Sequence, residues 1–189
     1  GNRARGCTRM TRAMTALGGG GGRAAEAAPG RVAGAPQLAI DKRYVSQAVD
    51  EGATLAAGGG AVKSKTLGHY FAPALFTDVS PQAAVARDEI FGPIAAVLRV
   101  SDYDAALATA NDCEFGLSAG IVSRDSAKID HFTQNAEAGM IQVNLPTAGM
   151  DFHPPFTGPH GSSYGAPEQA SYCRHAFTAA QVVHDGCDR

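Results

Sequence analysis

Near the middle of the chain, Glu89-Ile90-Phe91-Gly92-Pro93 sets a carboxylate and an aromatic ring two residues apart and follows them with Gly-Pro, a pair that fixes a tight turn. A carboxylate can accept hydrogen bonds from two vicinal hydroxyls at once. Taken by themselves, a solvated surface acid at Glu89 and a core aromatic at Phe91 are the plainer readings. Asn144 closes an apolar stretch just ahead of residues 145–170, which are rich in Pro, Gly and Ser. Such a run reads as a long ordered loop or a functional surface. By its type, Asn144 equally suits a strand end that bonds its own backbone. The four cysteines, Cys7, Cys113, Cys173 and Cys187, are scattered and form no C-x-x-C pair, which argues against a zinc site. So few in a chain of 189 residues also argue against a disulfide framework and for a reducing, cytoplasmic setting.

The elements that must position these residues follow from periodicity. Residues 39–57 have helical spacing, with Tyr44, Val45, Ala48, Val49 and Ala53 on one face, and Gly58, Gly59 and Gly60 end the run. Residues 70–75 form an extended segment. Residues 81–87 form a helical turn with Ser80 as N-cap and Pro81 first in the helix. Residues 94–100 are a buried strand. Ser101 caps a helix over 104–113. Residues 117–123 and 140–144 are strands flanking a helix that Asp125 or Ser126 opens and that runs to about Asn135. Residues 177–183 form a terminal strand. Alternating strands and helices predict β-α-β units on a parallel sheet, a fold-class statement that says nothing of chemistry.

Composition bounds the partners. With 44% hydrophobic and 18% charged residues, the chain has the make-up of a globular protein of about one domain. A net charge of -2 gives no reason to expect nucleic acid or an anionic membrane. No apolar run approaches the roughly 20 residues of a spanning helix, and the basic N-terminus is not followed by the apolar stretch of a secretory signal. Residues 1–38 differ from the rest: six arginines stand against a single acid, Glu26, and residues 18–22 are all glycine. This segment reads as low-complexity and irregular, a flexible tail rather than a nucleic-acid arm. A GC-rich reading frame would give the same composition.

The pentapeptide and its flanks together resemble the aldehyde dehydrogenase superfamily. EGATLAAGG (51–59) and HYFAPALFTDV (69–79) precede it, the latter similar to the family's G-Y-F-x-x-P-T-L-x-x-x-V. ANDCEFGLSAGIVSRD (110–125), AGMIQVN (138–144) and PFTGPHGSSYG (155–165) follow in family order, the last similar to P-F-G-G-x-K-x-S-G. The resemblance covers about residues 38–185. It implies NAD or NADP as cofactor, with Glu89 accepting from the nicotinamide ribose hydroxyls and Phe91 packing beside the nicotinamide end. It implies a substrate mouth near Asn144 and Phe156, and oxidation of an aldehyde to a carboxylic acid. Asn144 to Gly149 resembles the α-ketoglutarate semialdehyde (2,5-dioxovalerate) dehydrogenase branch. Such a substrate needs a cationic clamp, for which Arg87, Arg124, Arg174, His153 and His160 are available.

In the family a cysteine thiolate attacks the aldehyde, a glutamate activates water, and a backbone N–H with an asparagine holds the oxyanion. Cys7-Thr8, with Thr11-Arg12 behind it, resembles the family's C-T-x-x-[ST]-R, which makes Cys7 the candidate nucleophile; Gly6 stands directly before it and the preceding Gln is missing. The alternative is a free thiol without the positive surroundings that lower a thiol pKa. The glutamate, the asparagine and a strand–Gly-rich loop–helix unit have no match in the sequence. Thr157 and Pro159-His160 also depart from the family's loop. The resemblance therefore implies an α/β, parallel-sheet catalytic domain of the aldehyde dehydrogenase fold missing the Rossmann-like cofactor domain. Its expected parts are a low-complexity segment (1–38), a partial catalytic domain (39–176), and an oligomerisation strand and tail (177–189). The expected partners are a small aldehyde and a second copy or a full-length paralogue, with no nucleic acid, membrane or metal. The expected chain is incomplete and inactive by itself, with a non-catalytic oligomerisation module or a truncated product as alternatives.

Overall fold

The structure, a computed structural model, describes residues 10, 19–20, 28–29, 32–63, 67–147, 149, 151–167 and 169–183. Two compact units divide the chain, residues 1–100 and 101–189.

In the first unit Gly19–Gly20 (β1) pairs in parallel with Ala28–Pro29 (β2). Helix α1, Ala35–Asp50, starts ahead of the expected residue 39, with a proline in its first turn, where the missing N–H costs nothing. It also ends early. Gly52, at φ 90°, is the left-handed residue beyond the C-cap Glu51. Its N–H donates to Val49 O and the N–H of Ala53 to Ala48 O, which satisfies the last carbonyls of the helix. The expected helix over 39–57 is thus corrected. Residues Thr54–Ala57 are a strand, β3, and Gly52, not the triplet at 58–60, is the stop signal.

Strand β4, Ala74–Thr77, is the central strand of a three-stranded sheet, antiparallel to β3 and parallel to β5, Ile94–Ala96. Its Ala74, Leu75 and Phe76 are all buried, which is why a continuous apolar run stands there in place of an alternating one. Phe71, Phe76, Val79 and Val85 form the core with Ala48 of α1. The short helix α2, Ala84–Arg87, lies between β4 and β5 in the chain. Ser80 is not its N-cap; the Ser80 hydroxyl accepts from Gln82 N instead, and the first helical N–H, that of Ala84, donates to the carboxylate of Glu51.

In the second unit β6, Ser118–Ile121, pairs in parallel with β7, Met140–Val143. Helix α3, Tyr103–Asn111, is capped by Asp102, one residue after the expected Ser101, and the Ser101 hydroxyl donates to the capping carboxylate. The Ala105 N–H, followed by the Ser101 hydroxyl, holds the Asp102 carboxyl below its ordinary pKa. Helix α4, Ser126–Asn135, carries its expected cap at Asp125. The Tyr103 hydroxyl meets His131 Nδ1 at 2.9 Å, and the Asn111 side chain bridges Asn135 O and Glu137 N, so α3 and α4 are tied side by side.

The terminal strand expected over 177–183 is not formed. Phe177 ends a short helix, α5, Cys173–Phe177, and residues 178–183 are exposed and assigned to no strand. The sheet is also mixed where an all-parallel one was expected, since β3 runs antiparallel to β4.

Candidate functional site

The pentapeptide lies on the connection from α2 into β5. Three side chains of α1, Gln37, Asp41 and Tyr44, share one face of the helix by their spacing of four and three residues, and all three reach this connection. The Tyr44 hydroxyl donates to Asp88 Oδ2 at 2.8 Å, and this bond to the Asp88 carboxylate is the main cause of a raised Tyr44 pKa. Gln37 Nε2 donates to Ile90 O at 2.9 Å and to Asp41 Oδ1 at 2.8 Å. Asp41, fully buried, lies against Gly92 so closely that a Cβ on that glycine would sit 2.0 Å from Oδ1. The helix thus grips residues 88, 90 and 92.

The alternate residues, Glu89 and Phe91, are exposed, Phe91 to 85%. Phe91 has φ 56°, a left-handed conformation that a residue with a Cβ adopts at a cost. The connection is closed by Ile94 N donating to Gly92 O at 2.8 Å and by Ala74 N donating to Pro93 O at 2.9 Å. A carboxylate and an aromatic ring two residues apart are therefore both exposed on one turn.

In the second unit Asn144 follows β7 at φ 55°. Its Oδ1 accepts from Ser123 N at 2.9 Å and its Nδ2 donates to Ser123 O at 3.0 Å. The amide thus continues the ladder of β6 and β7 by one rung, bonding a backbone 21 residues away in place of its own. The expected substrate residue spends its amide on Ser123. Phe156, 40% exposed, sits on the segment 155–163. That segment is tied to residues 114–116 by Gly116 N donating to Ser162 Oγ and Gly161 N donating to Glu114 O, and within itself by Gly158 N donating to Ser163 Oγ. Three glycines make the close approach possible: a Cβ at Gly139 would lie 1.9 Å from Thr157 O, at Gly116 2.5 Å from Glu137 O, and at Gly158 2.6 Å from Gly116 O.

Of the cations named for a substrate clamp, His160 meets Glu137 Oε2 at 3.0 Å and His153 meets Asp151 Oδ1 at 2.7 Å. His153, through its side chain and then its backbone N–H, holds the Asp151 carboxyl below its ordinary pKa. Arg124 and Arg174 are exposed. Cys7, the candidate nucleophile, lies outside the described residues. Glu89 and Phe91 are brought together on one turn of the first unit; Asn144 and Phe156 belong to the second. Sequence reasoning missed Gln37, Asp41 and Tyr44 as supports of the turn. The available signal was an acid on the stripe Leu38, Val45, Ala48, which is otherwise apolar. Among the described residues no group of three His, Cys, Asp or Glu could hold a metal ion, and no helix is long and apolar enough to cross a membrane.

Residues 4–183 match the aldehyde dehydrogenase family, a span that reaches well ahead of residue 38 and includes Cys7. The chain is 41% identical over 152 residues to the alpha-ketoglutarate semialdehyde dehydrogenase of Haloferax volcanii, covering 79% of this chain and 32% of that protein. Its structure is similar to an NAD-dependent aldehyde dehydrogenase from Sinorhizobium meliloti, with a TM-score of 0.83 and 28% identity over 91% of this chain and 34% of that one. It is also similar to the indole-3-acetaldehyde dehydrogenase of P. syringae in complex with NAD+ and IAA, with a TM-score of 0.75 and 26% identity, covering 82% and 31%. The chain belongs to the aldehyde dehydrogenase family. It spans about a third of the length of the curated relatives it matches.

Proposed function

We propose that this chain supplies part of the catalytic domain of an NAD(P)-dependent aldehyde dehydrogenase, with Glu89 and Phe91 meeting the nicotinamide end of NAD or NADP. The observation that carries this reading is the turn on which both side chains are exposed while α1 holds Ile90 between them and Asp88 and Gly92 on either side. The residues present fit the group: an exposed carboxylate accepts from both ribose hydroxyls, and an exposed ring lies flat against the nicotinamide. When bound, the cofactor supplies the acceptor for the hydride of the aldehyde. Cys7 is the proposed nucleophile, with Phe156 at the substrate mouth. Asn144 contributes there by fixing the strand end from which the substrate loop departs.

The aldehyde proposed is an α-ketoglutarate semialdehyde or a close analogue. The 41% identity to the Haloferax volcanii enzyme supports it, and Arg124 and Arg174 are the exposed arginines offered for its carboxylate. Residues 178–183, with Val182 and Val183 each at 77% exposure, are proposed to pair with the sheet edge of a second copy or a full-length paralogue. The setting proposed is cytoplasmic. Turnover is not proposed for these 189 residues by themselves, since they span about a third of the length of the curated relatives.

Titration calorimetry of NAD and NADP into the purified chain tests the cofactor reading. Binding that disappears in Glu89→Ala supports it. Binding that survives the substitution refutes the role given to Glu89.

A further inference from the structure

Asp41 is a carboxylate with 0% exposure on the face of α1 that Leu38, Val45 and Ala48 make apolar. A buried carboxylate without full hydrogen bonding costs stability, and Asp41 Oδ2 has no hydrogen-bond partner among the described residues. An aliphatic side chain would serve the core better, so the carboxylate needs another reason to be there.

Its surroundings supply one. The carboxylate oxygen of Asp41 and the carbonyl oxygen of Ile90 converge on one side-chain amide, that of Gln37. Both are acceptors, so the NH2 group must face them, and its two protons are shared between them. Asp41 thereby fixes which way Gln37 turns. The same carboxylate lies against Gly92, with its Oδ1, Cγ and Oδ2 at 2.0, 2.7 and 3.2 Å from where a Cβ would be. It touches the turn directly at one residue and through Gln37 at another, on either side of Phe91.

We propose that Asp41 is a positioning residue for the turn at 89–93. By orienting Gln37 onto Ile90 and by packing on Gly92 it holds Phe91 in its left-handed conformation, with Glu89 and Phe91 facing outward to receive a nicotinamide dinucleotide. This rests on the cofactor reading given above.

Amide hydrogen exchange on the full chain tests it, because the N–H groups of Asp88 and Ile94, which donate to Ala84 O and Gly92 O, report on the two ends of the turn. Asp41→Ala and Gln37→Ala should each speed exchange over residues 88–94 by about tenfold or more while leaving the amides of Val62 and Ala72, which donate to Tyr70 O and Gly60 O, as they are. Asp41→Asn, which keeps an acceptor oxygen for Gln37, should restore most of the protection. Gly92→Ala should loosen the turn by itself and do less harm when Asp41 is already alanine, because the clash is then gone. Unchanged exchange at 88–94 in Asp41→Ala overturns the proposal. So does an equal acceleration at Val62 and Ala72, which would make Asp41 only a core residue. Titration of NAD into the same variants separates the two readings. Loss of affinity in both Asp41→Ala and Glu89→Ala supports them together. Binding lost in Glu89→Ala but untouched in Asp41→Ala, despite a loosened turn, overturns the positioning role. If no variant, nor the parent chain, binds NAD, the cofactor reading fails, and the exchange data alone decide what Asp41 does to the turn.

Discussion

Replacing Phe91 with glycine should leave the stability of the chain nearly unchanged while stripping the turn of its ring. At φ 56° the residue sits in the left-handed region, which costs a side chain with a Cβ about 1–2 kcal/mol relative to glycine. Glycine recovers that cost but brings about 0.5–1 kcal/mol of extra freedom to the unfolded chain. The ring is 85% exposed, so only a small part of the roughly 2–3 kcal/mol that full burial of a Phe is worth can be lost, about 0.4 kcal/mol. The three contributions nearly cancel, and the net change should stay within about 1 kcal/mol. Phe91→Ala removes the same ring but keeps the Cβ, so it isolates the backbone contribution and should be about 0.5–1 kcal/mol less stable than Phe91→Gly. Urea unfolding of the three proteins, followed by circular dichroism, gives both differences. A loss above about 2 kcal/mol in Phe91→Gly would mean that the ring is packed. An alanine variant as stable as the glycine variant would mean that the turn is not left-handed. In the same samples NAD affinity should fall in both variants, since neither carries the ring.

Other outcomes follow from the second unit. Gly139→Ala places a Cβ 1.9 Å from Thr157 O and should cost about 1–3 kcal/mol, with faster proteolytic cleavage within residues 155–163. Asn144→Ala frees the N–H and C=O of Ser123 and should cost about 1 kcal/mol, read as faster exchange at the Ser123 amide. Unchanged exchange there would show that the amide does not tie the strand ends. Asp102→Ala should lower the melting temperature at neutral pH, because helix α3 loses its cap. The Asp102 carboxyl titrates below its ordinary value of 3.8 in the folded chain, so its contribution is complete above that value and is lost as pH falls through the folded value. The gap in melting temperature between parent and variant should therefore close on acidification below 3.8, and a gap that persists in strong acid would refute the cap.

The turn that carries Glu89 and Phe91 was legible in the sequence because its chemistry is local: five consecutive residues with Gly-Pro at their end. What holds it was not. Gln37 and Ile90 are 53 residues apart, Tyr44 and Asp88 are 44 apart, and no periodicity within α1 says which distant segment these side chains will meet. The end of α1 was misplaced for a different reason. Ala53 and Ala57 continue the small apolar pattern of the helix, which hid the stop at Gly52 and, with it, strand β3. At α3 two adjacent residues could both cap, and Asp102 rather than Ser101 does so because its carboxylate reaches Ala105 N at 2.8 Å. The helix Ser126–Asn135 and strand Met140–Val143 fell close to expectation, since an acid cap and an unbroken apolar run are each written in one place. For Asn144, the sequence showed a polar residue at a strand end, but not that its amide would turn back onto Ser123.

That amide has a consequence for how the two strands find each other. A parallel pair of four residues each, with few of them buried, can slide by two positions and still show the same side chains to the same faces. The Asn144 amide removes that freedom. Its donor and acceptor must meet the C=O and N–H of a single residue, and only one alignment brings Ser123 opposite it. Slid by two toward helix α4, the amide would face Asp125, whose N–H and C=O are already taken by Ser123 Oγ and Ile129 N. The side chain thus works as an alignment pin at the point where the chain leaves the sheet for the long Pro- and Gly-rich segment, so the start of that segment is placed to within one residue.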